Sequence, residues 1–335
     1  MKIIFILICF VIYVFAYDKF QYIGNPYKKV YKNKTMTYAR NIWDMKVFNN
    51  KIYLGAGNSS NKPPASNAGR VYVVSINPKN DKFKYEYKVA EEQINLFKIY
   101  DDTLYIPGHD ATQRWDFGNL YEKQKNKEWM KYRTIPKALH VYDLIKLHDT
   151  FYVALGLEHD GAIFYSNNKK DWHTYKIYPH KRVYSIVALN NKIYSDRQIV
   201  GSKYKAIKIT KLDDKSFLYI KVKEYNDHQY IPLSLQKGIL KNKKIISKKI
   251  NMYGYKIFDI IKHNNKIYIL ASNNNINSVF VYNNEIRKII SFKYNTFARS
   301  MELYNKCFYF GMGSFANDVK KETGDILKIC IDEIN

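Results

Sequence analysis

The feature that most constrains this chain is a hairpin that recurs along it. Residues 41–57 read NIWDMKVFNNKIYLGAG. An aromatic and aliphatic run, two asparagines that tolerate left-handed turn conformations, and a second apolar run form the pattern of two short antiparallel strands about a tight turn. Close variants occupy residues 93–110 (QINLFKIYDDTLYIPGHD), 140–156 (HVYDLIKLHDTFYVALG), 182–196 (RVYSIVALNNKIYSD), 256–272 (KIFDIIKHNNKIYILAS) and 297–313 (FARSMELYNKCFYFGMG).

Aligned on Tyr53, Tyr105, Tyr152, Tyr194, Tyr268 and Tyr309, the copies step by 52, 47, 42, 74 and 41 residues. Periods in the forties with several strands per unit are those of propeller blades. After the first three hairpins come a third strand opened by Gly69, Gly118 or Gly161 and a fourth near Phe83, Trp129 or Trp172, so each unit has four strands. The 74-residue step leaves room for a degenerate unit near residues 230–250, which predicts an all-β propeller of seven blades, with six as the alternative. The last unit ends after Gly324-Asp-Ile-Leu-Lys-Ile-Cys-Ile with no residues for a fourth strand. An uncovered edge is an aggregation liability, so an N-terminal strand near Tyr27 to Tyr31 is expected to pair with the last blade and close the ring.

Residues 165–172 (YSNNKKDW) resemble an Asp-box, the hairpin signature of sialidase-type and other exported propellers, with Asn168 at the usual Asp place and Lys169 where Gly is commoner. The resemblance implies a folding device within a propeller and implies no sialidase chemistry. Gly55-Ala56-Gly57 and Gly311-Met312-Gly313 are similar to the glycine pairs of kelch blades.

Residues 1–16 carry one early Lys, an apolar run and a small residue before Tyr17-Asp18, which reads as a cleavable secretory signal and places residues 17–335 in one exported domain, secreted or periplasmic. The apolar run falls short of the roughly 20 residues that a membrane span needs. Removing the signal takes Cys9 with it and leaves Cys307 and Cys330 on adjacent antiparallel strands, where an oxidising compartment predicts a disulfide; two buried thiols are the alternative. Hydrophobic residues at 46% and charged residues at 25% fit a folded domain. The net charge of +25 comes almost wholly from Lys, with eight Arg, scattered over turns rather than gathered in one tract. Specific nucleic-acid recognition favours Arg, so solvated surface charge is the expectation, on a protein read as a monomer.

In a propeller the innermost strands begin on the face that receives the loops after the second strands. The first positions of the template hold Asn41, Gln93, His140, Arg182, Lys256 and Phe297, and the loops add Asn58, His109, Asp110, Glu158, His159, Asp160, Asp196, Arg197 and Asn317. Polar groups gathered at one mouth describe a ligand site. The two His-Asp pairs, His109-Asp110 and His159-Asp160, fit three readings: a divalent metal held by His109 and His159, acid/base catalysis by a hydrolase or lyase, or loop capping beside polar rim residues. Arg114 and Trp115 sit in the least repetitive loop, where Trp beside Arg suits a sugar ring or a protein surface. The leading expectation is a recognition module for a glycan or a partner protein, with the enzyme as the alternative. The 32 tyrosines recur within strands, which assigns most of them to packing between blades.

Overall fold

The computed structural model describes residues 18–62, 65–225 and 229–331; the signal reading and Cys9 lie outside them. The chain is a β-propeller of four-stranded antiparallel blades. Blade one is β2 (Asp44–Phe48), β3 (Lys51–Gly55), β4 (Tyr72–Asn77) and β5 (Lys82–Lys88). Blade two is β6 (Lys98–Tyr100), β7 (Thr103–Pro107), β8 (Phe117–Gln124) and β9 (Trp129–Pro136). Blade three is β10 (His140–Leu147), β11 (Thr150–Gly156), β12 (Gly161–Ser166) and β13 (His173–Tyr178). The next copy of the template forms only a hairpin, β14 (Ile186–Leu189) and β15 (Lys192–Ser195), followed by helix α1 (Asp196–Val200). Blade four is β16 (Lys205–Lys211), β17 (Ser216–Tyr225), β18 (Gln229–Lys241) and β19 (Lys244–Ile250). Blade five is β20 (Lys256–His263), β21 (Lys266–Asn273), β22 (Ile276–Asn283) and β23 (Glu285–Lys293). Blade six is β24 (Phe297–Tyr304), β25 (Cys307–Gly313) and β26 (Ile326–Cys330), with β1 (Gln21–Gly24) antiparallel to β26.

Among the described residues the four-stranded blades number six, which corrects the expectation of seven. The physical reason lies after β15. There Ser195 and Gln198 form a capping box that starts α1, and a helix start takes the place of the Gly-led third strand. The segment read as a degenerate extra blade is the outer half of blade four. The segment from Tyr27 to Tyr31 is not a strand either: the Val30 and Tyr31 N–H groups both return to the Tyr27 carbonyl. That turn stacks the Tyr27 and Tyr31 rings at 6.2 Å and buries them against blade one.

The template turns behave as their residue types require. Asn49-Asn50, Asp101-Asp102, Asn190-Asn191 and Asn264-Asn265 all have positive φ, the geometry whose twist matches a two-residue hairpin. In the Asp-box-like turn, Asn168 Oδ1 accepts the Lys170 and Asp171 N–H groups at 2.9 Å. Trp172 Nε1 lies 3.2 Å from both the Lys169 carbonyl and Thr134 Oγ1, tying blade three to blade two. The glycine that opens the third strand is a packing requirement, since a Cβ at Gly161 would stand 2.1 Å from the Lys181 carbonyl. Most template tyrosines are buried between blades, and Cys307 is bonded to Cys330 directly opposite it on β26.

A second repeated device joins neighbouring units. Nine residues before the anchor tyrosine stand Asp44, Asp143, Ser185, Asp259 and Ser300. Asp44 accepts the Phe97 N–H at 2.7 Å, Asp143 that of Ile186 at 3.1 Å and Asp259 that of Met301 at 3.0 Å. Ser185 donates to the Ala206 carbonyl, and Ser300 donates to the Ile42 carbonyl at 2.8 Å, from blade six to blade one. Each side chain thus satisfies a backbone group of the following unit.

Candidate ligand-binding site

The starts of the inner strands divide into locked and assembled positions. Asn41 is fully buried, and its Oδ1 accepts Arg299 Nε and the Ser314 N–H, both at 2.8 Å. Gln93 accepts the Ser59 N–H and donates to Asn95. These two are used up in holding loops. His140, Arg182 and Lys205, in contrast, converge with His109 and Asp110. His140 Nδ1 lies 2.9 Å from the His109 carbonyl and 3.7 Å from the Asp110 carboxylate. The His140 ring stacks on Tyr142 at 5.1 Å, Tyr142 meets Tyr184 at 4.6 Å, and Tyr184 meets Tyr230 at 6.4 Å. Arg182 donates to the Tyr142 hydroxyl at 3.1 Å.

Lys205 completes this cluster. Its ammonium pairs with Glu224 and stands 3.2 Å from the Tyr184 ring centroid and 5.1 Å from that of Tyr230. The hairpin of β17 and β18 supplies Glu224 and Tyr230, because its pairing runs past the start of β16: Lys205 lies beside Val222, yet the ladder continues through Glu224 and Tyr230. Asp196 is wholly buried at the start of α1 and accepts the Tyr184 N–H at 3.3 Å.

Burial perturbs three of these groups. The His140 imidazole is pushed well below its usual value by burial and then by Arg182 and His109, so the ring is neutral at pH 7. Burial draws Lys205 down to about 8 against the opposing pull of Glu224. It lifts Asp196 to about 7, with Arg197 pulling the other way. Clustered shifts of this kind mark functional sites more often than inert surface.

Tyr142, Tyr184 and Tyr230 also line a cavity of about 820 Å³ bounded by the inner strands. Trp43, Phe97 and Phe258 join them, and the rest of the wall mixes aliphatic side chains such as Ile207 and Ile260 with paired charges. Lys98 meets Asp143 at 3.0 Å, and Lys208 reaches both Asp44 and Asp259. The volume suits a small organic ligand.

Other sequence-predicted positions do not join the cluster. Glu158 and His159 are exposed and lie 3.8 Å from each other, while Asp160 accepts the His180 N–H. Of the two histidines considered as metal ligands, His109 is buried beside His140 and Tyr142, whereas His159 is exposed. Among the described residues, no three His, Cys, Asp or Glu side chains converge as ligands. Arg114 and Trp115 are exposed on the rim. Sequence reasoning missed Tyr142, Tyr184, Lys205, Glu224 and Tyr230. Tyr142 and Tyr184 both stand two residues after a singled-out template position, a signal that was present; the other three belong to the blade without the template.

The sequence matches no protein-family description and no curated protein. Solved structures do resemble the fold. An inactive variant of virginiamycin B lyase from Staphylococcus aureus, solved with quinupristin, is 12% identical with a TM-score of 0.57, covering 93% of this chain and 99% of that one. A streptogramin B lyase is 9% identical with a TM-score of 0.51, over 87% of this chain and 93% of the other. The β-propeller domain of the trilobed protease from Pyrococcus furiosus is 9% identical with a TM-score of 0.50, over 89% and 98%. Identities this low show the fold alone.

Proposed function

We propose that this protein is an exported recognition module that binds a glycan at the polar mouth of the propeller, with a surface loop of a partner protein as the alternative ligand. The observation that carries this reading is the run of Tyr142, Tyr184 and Tyr230 along a cavity whose otherwise mixed wall places the Lys98–Asp143 and Lys208–Asp44–Asp259 charge groups among apolar side chains. Aromatic faces take the apolar C–H face of a sugar ring, and carboxylates and ammonium groups take its hydroxyls by charge-assisted hydrogen bonds. The secretory signal read in residues 1–16 and the Cys307–Cys330 disulfide support export to an oxidising compartment. The pairing of β1 with β26 supports its role as the clasp of the ring.

A glycan array probed with the wild-type protein and with Tyr184→Ala tests the reading. Saturable signals on a defined set of oligosaccharides, lost in the variant, are expected; an array blank for the wild type overturns the glycan reading.

One observation favours the enzymatic alternative, a hydrolase or lyase: His140, Lys205 and Asp196 all depart from their usual values within one cluster. That reading requires turnover of an array-positive ligand, abolished by His140→Gln. Binding without turnover leaves the recognition module.

A further inference from the structure

The loop between β7 and β8 assembles a surface separate from the axial cavity. Trp115 is 58% exposed and Phe117 39% exposed. The indole N–H of Trp115 reaches the Ala111 carbonyl at 3.4 Å, which orients the ring while leaving much of it in solvent. Arg133 lies 5.9 Å from the Phe117 ring centroid, donates to the Arg114 carbonyl at 2.7 Å and pairs with Asp116. Lys131 donates to Gln113. It is half-buried, and after that burial the nearby Arg133 and the Arg70 of blade one also depress its pKa, opposed by Glu91.

The surrounding charge is otherwise mostly scattered Lys, yet here three of the eight arginines, Arg70, Arg114 and Arg133, collect with Lys131 beside an exposed Trp. Asp116 offsets Arg133, and the remaining cations leave the patch net positive, a field that draws anions. Guanidinium groups match sulfate and carboxylate oxygens with planar paired hydrogen bonds, which ammonium groups do not.

We propose that this patch binds a polyanionic glycan, with a sugar ring against Trp115 and its sulfate or carboxylate groups on Arg70 and Arg114, while Arg133, held by Asp116 and the Arg114 carbonyl, fixes the loop. The inference does not depend on the reading of the axial cavity.

Heparin affinity chromatography with a salt gradient tests it, using the wild type, Arg70→Ser/Arg114→Ser, Trp115→Ala and a charge-matched control, Lys248→Ser/Lys249→Ser on exposed β19. Thermal melts confirm that all four fold. The arginine pair is expected to elute at clearly lower salt than the lysine pair, and Trp115→Ala to elute earlier than wild type although its charge is unchanged. Equal shifts for the two double variants, or an unshifted Trp115→Ala, overturn the proposal. In a second arm, tryptophan fluorescence is titrated with heparin oligosaccharide, phosphatidylserine vesicles and poly-glutamate. Saturation by the oligosaccharide alone supports the glycan; an equal response to vesicles or to poly-glutamate overturns that choice of ligand.

Discussion

The Lys208 ammonium is bonded to the carboxylate of Asp44, 164 residues away in the chain and on another blade. It reaches Asp259 of β20 as well, at 3.3 Å. Lys208 sits at an irregularity in the β16 ladder and has φ of +50°, a conformation that non-glycine residues adopt seldom and at a cost. The strain is repaid by placing a cation between two buried acids that each staple a neighbouring strand.

Replacing that cation leaves two buried carboxylates without it. Breaking one side of a buried ion pair costs about 3–5 kcal/mol. Lys208→Met is therefore expected to lower the urea unfolding free energy by about that amount, with an unchanged m-value. A loss below about 1 kcal/mol would show that water reaches the acids and that the charge network is not structural.

Lys169 gives a less obvious expectation. It has φ of +63°, where glycine is the usual residue of an Asp-box-like turn. On backbone grounds alone, Lys169→Gly relieves strain. Its ammonium, however, pairs with buried Glu122 and lies within 5.6 Å of the Tyr105, Tyr132 and Phe151 ring centroids. The lost pair outweighs about 1 kcal/mol of relief, so the variant is expected to be less stable than wild type by about 2 kcal/mol. A melting temperature that rises contradicts this ranking.

The repeat made the architecture legible. Hairpins such as 41–57 and 256–272 spell out strand, turn and strand at the single-residue level, and the disulfide followed from strands that had to be adjacent. Blade four was illegible because it has no template copy, and with it went Lys205, Glu224 and Tyr230. The site was half legible for the same reason. His109, Asp110, His140 and Arg182 meet as the topology requires, whereas Asn41 and Gln93 are polar residues consumed by backbone groups. A sequence lists donors and acceptors without saying which are already satisfied.

The N-terminal segment touches more than the β26 edge. Asp18 accepts the Ser291 N–H at 2.7 Å, and Phe20 meets Tyr294 edge-on at 5.4 Å. Deleting residues 18–24 removes these contacts together with β1. The truncated protein is expected to melt roughly 5 °C below the full chain, since each kcal/mol moves the midpoint by about 1.5 °C in a domain of this size and the lost contacts amount to about 3 kcal/mol. An unchanged midpoint would show that β1 does not hold the ring closed.

Stability is also expected to depend on pH through Glu91. This side chain is fully buried, Asn119 Nδ2 and the Tyr121 hydroxyl donate to its Oε1, and burial lifts it to about 7. A carboxyl raised on folding contributes stability that is full below its unfolded value, near 4.5, and is lost as pH rises through about 7. Asp196, also lifted to about 7, acts in the same window. His140, pushed down by burial, has the opposite slope as pH falls below about 6.5. Glu91→Gln keeps the acceptor without the charge. Chemical denaturation should show the variant more stable than wild type at pH 8, by about 2 kcal/mol, with little difference at pH 5. A difference that is independent of pH would place the Glu91 proton elsewhere.

The tyrosines at the axial mouth, rather than the exposed rim, are proposed to hold a neutral sugar. Isothermal titration of a neutral, array-positive oligosaccharide into wild type, Tyr184→Ala and Trp115→Ala tests it most directly. Affinity is expected to fall at least about tenfold in Tyr184→Ala, the scale of a lost aromatic anchor, and to be retained in Trp115→Ala. Retention in Tyr184→Ala with loss in Trp115→Ala would contradict it.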